Sequence, residues 1–424
     1  MRAEALRARR RFLRDCLALA AAAPLAARPA IAPPGPPSDF DALWLAIDRD
    51  YAYLDRRQDW REAGARLRPK AAAARSRAQL LATLEAAIAE LNDEHVSLDA
   101  HLPGSPRPVP TATDLWAEWI DAEATISSVR ASSVADVAGA VPGMRVTAIQ
   151  GTPVEQAVRA LLRRSRQADS RARNWALRRL LAGPWSGQFT IDVRHAGRAG
   201  RLEIERQDVP PGGTAPLVAR RIGEARDLGY LRLKDDLGEA GVVPHFDSAL
   251  AYLRNTRGLI LDLRETQSGG SAEVARALLG RFVAAEKPWI LRAPRAPERG
   301  EAPKAERVAP RGPFTYDAKI LVLVDRWTAG EGESLAAGLE AAAGATLVGT
   351  AMAGLRGDTR ELRLPHSGIV LRYPATRVFH ADGRPREAVN PGVTVDIVAP
   401  KGGPGDPILY QALKLLEATR PRAG

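Results

Sequence analysis

Two junctions in this chain combine residue types suited to acyl-transfer chemistry. Residues 258–263, Gly258-Leu-Ile-Leu-Asp-Leu263, run into Arg264-Glu-Thr-Gln-Ser-Gly269-Gly270-Ser271. Paired glycines before a helix expose backbone N–H groups, which suits an anion or a developing oxyanion. Residues 320–325 run into Arg326-Trp327-Thr328-Ala329-Gly330-Glu331-Gly332-Glu333. A sharp strand-to-helix turn of this kind is where a nucleophile is displayed in hydrolases. Glu331 at a helix start is also simply favourable for the helix dipole. His95 closes the turn Asn92-Asp93-Glu94-His95; on its own it suits a structural histidine or a base. Trp327 suits a pocket wall or a core. His101, His195, His245, His366 and His380 are scattered without metal-ligand spacing. Neither a phosphate loop nor a dinucleotide fingerprint follows any strand. No metal and no cofactor is expected.

Those junctions need a sheet to hold them. From residue 228 the chain alternates strand and helix: strands at 229–233, 258–263, 320–325 and 346–349, helices at 246–254, 272–282 and 331–343. Nearly all-apolar strands separated by helices indicate a mostly parallel sheet covered on both faces. Such sheets bind ligands at their carboxyl ends, where both junctions lie. Residues 292–312 are rich in Pro and charge without periodicity, which predicts a long irregular loop. Upstream, Phe40, Leu43, Trp44, Ile47, Tyr51 and Leu54 recur at helical spacing. Ser76-x-x-Gln79 has the form of a capping box, and 96–98 alternates as a short strand. Residues 189–193 and 201–205 flank Gly197 and Gly200 as a hairpin.

The composition excludes several classes. Hydrophobic content of 45% is enough for a real core, so disorder is not the main state. One cysteine, Cys16, rules out an internal disulfide scaffold. The net charge of +11 raises nucleic-acid binding. Yet the basic residues include only seven lysines, and abundant Arg and Ala point to compositional bias. Residues 1–32 carry seven arginines against two acids. Arg9-Arg10-Arg11-Phe12-Leu13-Arg14 followed by a short apolar run, 16–27, has the form of an export signal and resembles the twin-arginine type. That run is too short to span a bilayer, and no other segment is apolar and long enough to do so. Export to the periplasm or beyond is the expectation, and nucleic acid is not an expected partner.

The motifs carry a family resemblance. Gly229-Tyr-Leu-Arg-Leu, Leu261-Asp-Leu-Arg264 with Gly269-Gly270, Leu321-Val-Leu-Val-Asp325 with Gly332-Glu333, and Leu347-Val-Gly-Thr350 with Gly354 are similar to the tail-specific, C-terminal-processing serine peptidases and to the related tricorn core. Asn92-Asp93-Glu94-His95 resembles that family's N-terminal "D-x-H" element, and 390–396 its closing strand. Pro142-Gly143-Met144 through Gly151-Thr152-Pro153-Val154 resembles a PDZ-type stretch. The resemblance implies an α/β fold: a crotonase-like tail-specific protease core, an N-terminal helical segment and a PDZ-like α+β module. The implied layout is 1–32 signal peptide, 33–105 helical segment, 106–210 PDZ-like module with a helical insert, 211–405 protease core, and 406–424 C-terminal helix and tail.

The catalytic pattern transfers only in part. The resemblance puts the nucleophilic serine three residues before Glu333, at Gly330, which has no hydroxyl. It puts a lysine base at Leu355. His95 matches the base of tricorn-like members and Glu333 the orienting carboxylate. Gly269 or Gly270, with the N–H of Glu331, matches the oxyanion hole. Ser334, one turn on, is a displaced substitute for the nucleophile, as are Thr328, Ser268 and Ser271. Two functions follow from the resemblance: an exported serine-type peptidase hydrolysing extended polypeptides, or a non-catalytic peptide-binding pseudopeptidase. A third option is water activated by Glu331 with His95. The expected partner is a peptide or polypeptide held by strand addition at a sheet edge or by the PDZ-like module.

Overall fold

The structure is a computed structural model that describes residues 38–162, 169–206, 215–234, 237–267, 269–294, 302–398 and 405–418. Residues 1–37, which carry the expected export signal, lie outside the described residues, and so does Ser268.

Helices α1 (Asp39–Asp50), α2 (Arg57–Ala72) and α3 (Arg77–Ala89) form the N-terminal cap. Ser38 Oγ accepts the N–H of Asp41 to start α1, and the Phe40, Leu43 and Ile47 face is buried. Ser76 Oγ accepts the N–H of Gln79 while Gln79 Oε1 accepts the N–H of Arg75, so the expected side-chain cap forms at the start of α3. The two-residue β1 (Ser97–Leu98) follows.

A second body is antiparallel. Strands β2 (Leu115–Ile120) and β3 (Glu123–Val129) precede the short helix α4 (Val134–Val137). Then come β4 (Arg145–Ile149), β5 (Thr152–Pro153), α5 (Val154–Leu161), α6 (Ser170–Ala182), and the hairpin β6 (Gly187–His195) and β7 (Arg198–Arg206). The sheet order is β2-β3-β4-β6-β7. Helix α6 packs on β2, where Asn174 Oδ1 accepts the N–H of Trp119 at 2.8 Å.

The remaining chain builds two sheets. Strands β8 (Leu217–Ile222) and β9 (Leu228–Leu233) lead into α7 (Val242–Tyr252), β10 (Gly258–Asp262) and α8 (Ala272–Leu279). The hairpin β11 (Lys287–Pro294) and β12 (Lys304–Val308) comes next, then β13 (Lys319–Val324), α9 (Glu331–Ala343) and β14 (Thr346–Gly349). Strands β15 (Asp358–Arg363), β16 (Val370–His380) and β17 (Val393–Thr394) precede α10 (Pro407–Glu417). The core sheet runs β17-β14-β13-β10-β9-β8 and is parallel except for the β8–β9 pair. Its all-apolar strands are explained by cover on both faces. Leu259, Leu261, Val322 and Val324 pack with α7, α8 and α9, whereas Ile260, Leu321 and Leu323 pack with Ile408, Ala412 and Leu416 of α10.

The other sheet runs β1-β16-β11-β12 and corrects one expectation. Residues 292–312 are not a plain loop: β11 and β12 pair antiparallel from Lys287↔Val308 to Arg292↔Lys304. Strand β12 lies at the sheet end with little more than Val308 buried. Its charged composition therefore hid the strand. The helical cap packs on this sheet through Leu364, Ile369, Leu371 and Tyr373.

Candidate active site

The elbow after β13 is built by its own side chains. Asp325 Oδ1 accepts the N–H of Trp327 at 2.8 Å, and Thr328 Oγ1 accepts the N–H of Asp325 at 3.1 Å. Thr328 Oγ1 also donates to the Leu263 carbonyl at the end of β10, 3.1 Å away. The turn ends at Gly330, at φ 58° and ψ −120°. Glycine alone takes this conformation without strain. A Cβ on Gly332 would collide with Thr266 Oγ1, so α9 starts in contact with the β10 junction.

Glu333 ties this elbow to the chain after β14. Its Oε2 accepts the N–H of Gly330 at 3.0 Å and of Leu355 at 3.1 Å, and its Oε1 that of Gly354 at 2.9 Å. The side chain is fully buried. Burial pushes its carboxyl up to about 7, against the pull of the Arg386 guanidinium and the N–H donors.

His95 approaches from the cap. Its N–H donates to Asp93 Oδ1 at 2.9 Å, and Tyr51 Oη donates to Asp93 Oδ2 at 2.6 Å. Nδ1 lies 2.8 Å from the Arg356 carbonyl. A carbonyl can only accept, so the neutral ring carries its proton on Nδ1, which leaves Nε2 as the basic atom. Burial lowers the ring's pKa, so it is neutral near pH 7. His95 thus meets the 354–356 segment that Glu333 holds. The two side chains do not bond to each other: the expected orienting pair is replaced by His95 on a carbonyl and Glu333 on three N–H groups.

Other expected roles meet committed groups. The N–H of Glu331 donates to the Gly269 carbonyl at 3.1 Å, so it does not face an oxyanion. Gly269 and Gly270 sit exposed at φ 70° and 97°. Ser334 is completely buried, and its Oγ accepts from Arg386 Nη1 at 2.7 Å. Thr328 is equally buried and bonded as above. Ser271 Oγ caps α8 through the Glu273 N–H.

A charge network lies beneath that no sequence motif marks. Buried Arg386 reaches Asp358 Oδ1 at 3.0 Å and the carbonyls of Leu355 and Gly357 at 3.2 and 2.6 Å. Arg292 pairs with Asp358 at 2.7 Å and Glu331 at 3.5 Å. Burial and the neighbouring Asp358 raise Glu331 to about 7. These partners lie tens of residues apart, so no local spacing announces them.

An apolar plug joins the elbow to the antiparallel body. Ala329, Ala353 and Leu355 pack with Val109, Trp116 and Ala182. Trp327 Nε1 donates to the Thr113 carbonyl at 3.1 Å, and Arg326 bonds both Glu118 oxygens at 2.8 and 2.9 Å.

Residues 227–399, from β9 through β17, match the sequence model of peptidase family S41. Over that segment the chain is similar to the S41 peptidases. Similar solved structures include a photosystem II D1 C-terminal processing protease, at 18% identity and TM-score 0.54, covering 89% of this chain and 96% of that one. Mature CPAF complexed with lactacystin is similar at 15% identity and TM-score 0.56, over 90% and 96%. A putative peptidase from Parabacteroides merdae is similar at 14% and 0.51, over 89% and 96%. These likenesses are of fold. No curated protein matches the chain. Within the S41 segment, the positions that the resemblance assigns to nucleophile and lysine are Gly330 and Leu355, and both are buried. Among the described residues no His, Cys, Asp and Glu group could hold a metal ion. No described helix is long and apolar enough to cross a membrane.

Proposed function

We propose that this chain is a non-catalytic S41 protein that binds extended polypeptide without cleaving it. The observation that carries this reading is the elbow itself. Gly330 keeps a display conformation with nothing to display, and the hydroxyls of Thr328, Ser334 and Ser271 are committed elsewhere. Without a nucleophile, the remainder of a triad retains only about 10³–10⁴-fold over water. The antiparallel body is the PDZ-like module of this reading. Its end strand β7 is the edge for strand addition, because β2 at the other end is covered by α6. The Arg9-Arg10-Arg11-Phe12-Leu13 stretch supports export by the twin-arginine route, with function in the periplasm or outside the cell. A fusion of residues 1–37 to a reporter that works only after export tests that part. The main reading is tested by titrating reduced, carboxymethylated casein into the full chain while mass spectrometry follows its integrity. Saturable binding with intact casein is expected. Cleavage that disappears in His95→Ala would overturn it.

A further inference from the structure

A cavity of about 310 Å³ lies at the carboxyl ends of the core strands, away from His95 and Glu333. Arg232 of β9, Arg264 after β10, and Asp325 and Trp327 after β13 form its floor. This is the crevice where open parallel sheets take ligands. The end of β3 roofs it with Arg130, and Ile408 at the start of α10 closes one side.

Most of its charges are spoken for. Arg264 bonds Asp262 at 2.7 and 2.9 Å and Asp406 at 2.8 and 2.9 Å. Arg232 pairs with Glu265 at 3.0 Å. Arg130 differs. Among the described residues no carboxylate lies within ion-pair distance of its guanidinium; Glu265, Asp114 and Asp325 act on it only from further away. Burial lowers its pKa, the mark of a cation removed from water without a partner. A half-buried guanidinium with five donors is costly until an anion arrives. Among the charged and polar groups of the lining, Trp327, Ile408, Ile397 and Val129 supply apolar wall.

We infer that this cavity is a binding site for an organic carboxylate carried on an apolar body, its carboxylate paired with Arg130. The planar fork of an arginine suits a carboxylate bidentately, and the Trp327 and Ile408 walls favour a body of aromatic or branched-chain size. Bare inorganic phosphate would leave those walls unfilled. The carboxylate comes from a free acid or from the end of a polypeptide. This site does not depend on whether the elbow is catalytic.

Isothermal titration of the full chain with 3-phenylpropionate tests the inference. Saturable one-to-one binding is expected, weakened at least tenfold in Arg130→Met and partly recovered in Arg130→Lys. Both variants should melt no lower than the parent, because among the described residues the Arg130 side chain has no ion-pair or hydrogen-bond partner to lose. No saturable binding, binding unchanged in Arg130→Met, or a lower melting temperature of the ligand-free Arg130→Met would overturn the assignment. Inorganic phosphate binding as tightly as 3-phenylpropionate would also overturn it. N-acetyl-Ala-Ala-Phe and its C-terminal amide separate the sources. If the free tripeptide binds more tightly than 3-phenylpropionate and the amide does not bind, the source is a polypeptide end; the reverse order identifies a free acid.

Discussion

Replacing Gly330 with serine restores the missing hydroxyl, and the backbone sets what that costs. The residue sits at φ 58° and ψ −120°, held by the Glu333 carboxylate on its N–H and by the turn bonds of Asp325 and Thr328. A side chain in so sparsely populated a region carries about 1–3 kcal/mol of strain. Restricting the unfolded chain returns about 0.4–1 kcal/mol. A net loss of about 1.3 kcal/mol is therefore expected, from the midpoints of the two ranges. At about 2–4 °C per kcal/mol for domains of 150–250 residues, and less for larger ones, the melting temperature should fall by a few degrees. Gly330→Ala should fall by nearly the same amount, since the penalty belongs to Cβ and not to the hydroxyl. Calorimetry on the three proteins side by side reads this directly. Variants as stable as the parent would refute the claim that the surroundings hold the elbow in this conformation.

Four further outcomes follow. In Gly330→Ser a fluorophosphonate should label the new serine slowly and only while His95 is present, because His95 rests on a carbonyl instead of a carboxylate and the Glu331 N–H is already donated; fast labelling, followed by mass spectrometry, would contradict this. Glu333→Gln should destabilise by about 1–3 kcal/mol in urea unfolding, since one amide oxygen cannot serve N–H groups on both Oε1 and Oε2; an unchanged midpoint would count against the pin. Arg386→Met should cost about 3 kcal/mol by removing a buried cation from Asp358 and Glu331 and leaving Arg292 to serve both, against about 1 kcal/mol for Ser334→Ala; equal losses would mean the network is not ionic. Stability should also fall as pH rises. Glu333 and Glu331, ordinarily at 4.5, and Asp325, ordinarily at 3.8, are each raised to about 7 in the fold. Between these values the folded chain holds protons that the unfolded chain has released, so this stabilisation is complete below about 3.8 and gone above about 7. Unfolding midpoints at pH 5.5 and 8 should show it, and Glu333→Gln should flatten the difference.

The parallel core was legible because its strands are covered on both faces and therefore read as unbroken apolar runs: residues 258–263 and 320–325 end within one residue of β10 and β13. The elbow was legible because a strand, a small-residue turn and an acidic helix start are all local. Three things were not. Strand β12 carries charges because it is a sheet end. The Arg386–Asp358–Arg292 network joins three distant segments. The use of the Glu331 N–H by Gly269 depends on how closely the two junctions pack, which spacing along the chain does not encode. For the same reason Glu333 was identifiable as a site residue while its actual bonds were not.

The most direct measurement of the central claim is treatment of the unmodified full chain with a fluorophosphonate probe, read by intact-mass spectrometry and peptide mapping. The committed state of Thr328, Ser334 and Ser271 and the absent hydroxyl at Gly330 predict no adduct under conditions that label an active serine peptidase to completion. A stoichiometric adduct on any serine or threonine, lost in His95→Ala, would contradict the account.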